Sequence, residues 1–187
     1  AALALFVGPM LYDINKYYPF AAAGVVMLIA LFILVKTIKE PEKGVKEEEH
    51  TGIIKAFVEV IRDKEKSALL ILVAIFFWFV AYQGIEALFT LYGVNHLGIK
   101  ESKAAFLLSF FSVTFLIFAI PSGIIATKIG RRKTIMTGIA GLSIIFLLIT
   151  FFKSTLILGI LLAIGGIFWA LININSYPMV VELATES

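Results

Sequence analysis

Residues 102–152 read SKAAFLLSFFSVTFLIFAIPSGIIATKIGRRKTIMTGIAGLSIIFLLITFF, two long apolar blocks joined by a short basic turn. Each block has the roughly 20 residues that an α-helix needs to cross about 30 Å of hydrocarbon. Lipid offers a backbone N–H or C=O no partner, so a segment this apolar must satisfy its own hydrogen bonds as a helix. A transmembrane β-barrel would show strands of about ten residues with alternating polarity, and no such alternation runs through the blocks. The stretch predicts a membrane-spanning helical hairpin. Its first arm is Ser102–Ala126, with Ser102 as N-cap; a tight turn follows over Thr127–Arg132, then the second arm, Lys133–Phe152.

The pattern continues in both directions. Upstream lie the tail of a span (Ala1–Leu11), a polar turn (Tyr12–Tyr18), and a span from Pro19 to Val35 whose opening proline suits a first helical turn. Next come a long charged stretch (Lys36–Lys66), a span over Ser67–Tyr92 and a short loop to Glu101. Downstream, Ser154 is a candidate cap for a sixth block, Thr155 to about Pro178, and the tail Met179–Ser187 turns polar. Of the 187 residues, 60% are hydrophobic, against about 45–50% in soluble domains. The fold class is an all-α polytopic membrane protein whose main partner is the lipid bilayer. The chain opens inside an apolar block with no basic leader, which reads as a truncated first span.

Within the charged stretch, Ile53, Ile54, Phe57, Val58 and Ile61 fall at helical spacing, with Lys55, Glu59, Arg62 and Asp63 facing away. This predicts an amphipathic helix over residues 51–66, under the bundle or on the membrane surface. Glu40–His50 reads as a solvated linker.

Charge sidedness agrees with the number of spans. Eight basic residues lie between Lys36 and Lys66, and four more are Lys128, Arg131, Arg132 and Lys133. Only Lys16, Lys100, Lys103 and Lys153 occupy the other connections. The two basic connections are separated by an even number of spans, so they share a side, and the positive-inside rule makes that side the cytoplasm. The net charge of +3 fits anionic headgroups rather than nucleic acid. There is no cysteine for a disulfide or thiolate metal site. No phosphate-cradling loop suggests ATP use. His50 and His96 fall in loops on opposite sides, and no catalytic or metal-binding constellation emerges.

The segment Gly123-Ile-Ile-Ala-Thr-Lys-Ile-Gly130-Arg131-Arg132-Lys133 resembles the loop signature of major facilitator transporters, Gly-x-x-x-Asp-Arg-x-Gly-Arg-Arg/Lys. Thr127 stands where that family has Asp, and Lys128 where it has Arg; the Gly-Arg-Arg-Lys end is intact. The resemblance gives Gly123, Lys128, Gly130, Arg131, Arg132 and Lys133 a gating role, since in that family the loop braces the outward-open state by charge pairing and helix-end contacts. The family also joins two six-helix halves through a long cytoplasmic loop. Here such a loop follows the second visible span and the motif comes two spans later. The resemblance thus implies the end of helix 5, helix 6 (to residue 37), the central loop (38–66) and helices 7 to 10 (67–92, 102–126, 133–152 and 154–178), with residues 67–187 in the C-terminal half. The missing helices of the same transporter would complete the bundle. Tyr177-Pro178, preceded by Asn173, Asn175 and Ser176, is similar to the sucrose-transporter-like and glycoside–pentoside–hexuronide branches.

An ionisable group inside a span is costly and is a functional candidate by default. Glu86 is the one acidic residue well inside an apolar block. Tyr82, Gln83, Glu86 and Thr90 share a helix face in the outer half of the span. Glu86 is about 28 Å along the helix from Ser67, so its alternative reading is a solvated boundary residue at the outer interface. Glu86, Gln83 and Tyr82 are candidate ligands for a solute hydroxyl or a coupling proton or sodium. Asn173 and Ser176 form a second candidate pair on one face of the last block. Ser109, Ser112 and Thr114 are expected to bond their own backbone, Trp78 and Trp169 to pack, and the glycines of the last two blocks to allow close helix approach. The expected function is secondary active transport of a small polar solute, a sugar in cation symport, by alternating access in the plasma (cytoplasmic) membrane. The alternatives are a drug or metabolite efflux carrier of the same fold, or a non-transporting membrane sensor or scaffold. No enzyme activity or cofactor is expected.

Overall fold

The computed structural model describes residues 2–37 and 66–186. Over these residues the chain forms six helices and no strand: α1 (Ala2–Ile14), α2 (Tyr18–Thr37), α3 (Ser67–Asn95), α4 (Glu101–Ile129), α5 (Arg131–Ile149) and α6 (Thr155–Glu186). The five helices from α2 to α6 are long and apolar enough to cross a membrane. The 29 residues of α3 rise about 44 Å at 1.5 Å each, more than the hydrocarbon requires. The amphipathic segment expected over 51–66 lies outside the described residues.

Most helices run past the limits that composition suggests. Helix α3 continues to Asn95, and α4 begins at Glu101, so Ser102 is not its cap. Lys100 holds that position in extended backbone with no side-chain capping bond, and Glu101 places an acid in the first turn instead, where the helix dipole favours it. Ser154 does precede α6, and its carbonyl accepts the first helical bond from Leu158 N at 2.9 Å. The tail expected to turn polar after Pro178 is helical to Glu186. Proline removes one N–H and costs a kink, but the neighbouring backbone keeps its bonds by staying helical.

Chain direction sorts the helix ends. One end of the bundle holds the α1–α2, α3–α4 and α5–α6 turns; the other holds the α4–α5 turn and the last turns of α2 and α6. The basic residues Lys36, Lys128, Arg131, Arg132 and Lys133 all belong to the second end.

Helix α6 is the most buried and packs on both α4 and α5. Leu158, Leu162 and Ile172 are fully buried along it, against Leu107, Leu108 and Phe111 of α4 and Ile135, Leu142 and Ile145 of α5 in one cluster. Gly166 sets the spacing: a Cβ there would collide with the Phe111 carbonyl and the Thr114 hydroxyl. That close approach lets Thr114 Oγ1 donate across the seam to the Ala163 carbonyl at 2.7 Å, the kind of interhelical bond small residues permit in membranes. Helix α1 lies along α4, with the Phe6 and Phe106 rings 5.4 Å apart. No residue of α2 is buried. In water that apolar surface would be costly, whereas lipid solvates it.

Candidate functional site

The Glu86 side chain is held by helix geometry. Tyr82 and Glu86 stand four residues apart on one face of α3. Both are half-buried, and the Tyr82 hydroxyl lies within electrostatic reach of the Glu86 carboxylate. They line a small cavity with Ile85 of α3, Leu5 of α1, Leu108, Phe111 and Ser112 of α4, Phe146 of α5 and Leu162 of α6. Five helices therefore converge on one carboxylate. Among the described residues no lysine or arginine lines the cavity, whose volume is about 10 Å³. The Tyr82 ring stacks on Trp169 of α6, 4.3 Å between centroids and 9° from parallel. Phe79 meets the same indole edge-on at 5.4 Å. This uses the Trp169 face in helix packing, as expected, and holds the Tyr82 ring in place.

The other polar candidates lie elsewhere. Gln83 is exposed and does not line the Glu86 cavity. Thr90 lines a separate cleft of about 310 Å³ with Tyr12, Glu101 and Ser102. Asn173 is half-buried. Ser176 is buried and its hydroxyl donates to the Ile172 carbonyl at 2.5 Å. Asn175 is fully buried; its Nδ2 donates to Leu171 O at 2.9 Å, and its Oδ1 has no partner among the described residues. Helix α6 reaches the Glu86 cavity through Leu162, eleven residues or about 16 Å before Asn173 at 1.5 Å per residue. The structure thus brings Tyr82 and Glu86 together but keeps Asn173 and Ser176 apart from them.

Ser112 and Leu5 are site residues that sequence reasoning missed. Ser109 donates to Phe106 O at 2.6 Å, as expected of a hydroxyl in a span. Ser112, one turn on, faces the Glu86 cavity instead. Nothing in the spacing of α4 distinguishes the two serines; the packing of α3 does.

At the basic end, Gly130 alone separates α4 from α5, with φ +91° and ψ 142°. That conformation is open to glycine and strained for other residues, so the expected turn over Thr127–Arg132 contracts to one residue. Thr127 does not replace the missing aspartate: its hydroxyl donates to Ile124 O of its own helix at 2.7 Å. The carboxylate comes from α6, where Glu182 Oε1 accepts from Arg131 Nε at 2.6 Å. Lys128 lies in the last turn of α4, where the dipole favours a cation. Arg132 and Lys133 are exposed. Gly123 has open space around it.

Membrane-length helices packed around a half-buried carboxylate define a polytopic membrane protein. The family model of the Major Facilitator Superfamily matches residues 1–187. The chain belongs to that family of secondary transporters and is an integral, multi-pass membrane protein. No curated protein and no solved structure matches it.

Proposed function

We propose that this chain forms part of a carrier that moves a small polar solute, a sugar, together with a cation. Transport proceeds by alternating access, and the basic end of the bundle faces the cytoplasm from the plasma membrane. The reading is supported by Glu86: an acidic side chain inside a span, lining one cavity with Tyr82 and reached by helices from both sides of the long charged stretch. An intramembrane carboxylate is retained where it serves ion or solute movement, and transporter sites form where helices of the two halves meet. The likeness of the Asn173–Pro178 segment to sugar symporters points to the solute class. Uptake of labelled sugars by the reconstituted carrier, with and without a pH or sodium gradient, tests it. Gradient-driven uptake is expected, with concentration against a gradient lost in Glu86→Gln. Absence of uptake for every sugar tried would sink the symport reading.

A further inference from the structure

We propose that the cavity at Glu86 is the coupling-cation site, not the solute site: Glu86, Tyr82 and Ser112 supply its oxygens and Leu5 of α1 closes it. The inference rests on the carrier reading and assigns a ligand to its central feature. Size is the first argument. The cavity measures about 10 Å³. A space near 10–15 Å³ on that scale holds one water molecule, whereas small-molecule sites run to about 300–1,000 Å³. A dehydrated monovalent cation or a protonated water fits; a sugar ring does not.

Chemistry is the second argument. A carboxylate and two hydroxyls are hard oxygen donors, suited to hard cations and to protons. Everything else on the wall is apolar: Leu5, Ile85, Leu108, Phe111, Phe146 and Leu162. A half-buried carboxylate facing such a wall attracts a cation more strongly than one in open water. The other titratable group on the cavity is Tyr82, and α1, α4, α5 and α6 contribute none. Among the described residues no counter-charge is built into the cavity, which leaves the place for a mobile cation.

Ser112 is the third. Its neighbours in α4 donate their hydroxyls to backbone carbonyls: Ser109 to Phe106 O, Thr114 to Ala163 O and Ser122 to Ala119 O. Ser112 is equally buried at 6% exposure, yet no such bond holds it among the described residues, and it lines the Glu86 cavity. Leu5 supplies coupling. It comes from α1, on the other side of the charged stretch from α3, and it lines the cavity only while α1 lies against α4. Movement of α1 away from α4 uncovers the cation, which links its release to the change of access.

The test measures cation binding without solute, on the purified carrier. One arm uses radioactive sodium; the other follows proton uptake with a pH indicator in weakly buffered detergent solution. Binding is expected in one arm, and that arm identifies the cation. Glu86→Gln abolishes it, and Ser112→Ala weakens it about tenfold, the loss of one charge-assisted contact. Ser109→Ala, a turn away with its hydroxyl on its own backbone, keeps wild-type binding. Absence of binding in both arms, or equal binding by Ser112→Ala and wild type, overturns the assignment. If Glu86→Gln binds the cation normally but loses binding of a labelled sugar, the cavity belongs to the solute: the inference fails and the carrier reading stands.

Discussion

The Tyr12 hydroxyl donates a 2.8 Å hydrogen bond to Glu101 Oε2, tying the end of α1 to the first turn of α4 across 89 residues of sequence. It sits at the bundle end that carries few basic residues, on the seam extended by Phe6 and Phe106. The bond lies in solvent reach, so water competes for both partners and its hold on the seam is weak. Tyr12→Phe removes the bond and keeps the ring. It is expected to speed maleimide labelling of Leu5→Cys, because α1 then leaves α4 more often. Labelling is specific within this chain, which has no cysteine. An unchanged rate would show that the bond does not hold α1 against α4.

The Arg131–Glu182 pair joins the α4–α5 turn to the last turns of α6. Its side chains are 32% and 54% exposed, so solvent screening limits its coupling to at most about 1 kcal/mol. Arg131→Glu and Glu182→Arg should each lower the thermal midpoint in detergent, and the double variant should recover most of the loss. Additive losses in that cycle would mean the residues are neighbours without being partners.

Gly166 is the close-approach point between α6 and α4. Gly166→Leu forces the two helices apart and should cost about 1–3 kcal/mol, as overpacking does. At Gly159 the nearest atom to a new Cβ is Leu107 Cδ2 at 3.5 Å, an ordinary contact. Gly159→Ala should stay within about 0.5 kcal/mol of wild type. Chemical denaturation of the two variants side by side checks the contrast, and similar midpoints would contradict it.

Gly130 has open space around it, so conformation alone restricts that position, with φ +91°. Gly130→Ala should cost about 1–3 kcal/mol. Gly123→Ala, at an equally open position inside α4, should be neutral or slightly stabilising because alanine favours helix. Thermal unfolding distinguishes the two; equal midpoints would show that the α4–α5 joint relaxes around a side chain.

Composition was enough to read the helical class, the blocks that become spans, and a basic turn within Thr127–Arg132, which packing narrows to Gly130. The reason is local. In lipid each span must satisfy its own backbone, so composition over about 20 residues is enough to read it. Tertiary structure alone decided which side chains meet. Ser109 and Ser112 look alike in sequence, and only the rotation of α4 against α3 sends one to its own backbone and the other to Glu86. Thr127 leaves the turn without its expected carboxylate, and Glu182 supplies one from 51 residues away. Glu86 was legible because a charge in an apolar block stands out. Its neighbours were not, because apolar residues cover every face of these helices, and without an amphipathic stripe no periodicity tells which face turns inward.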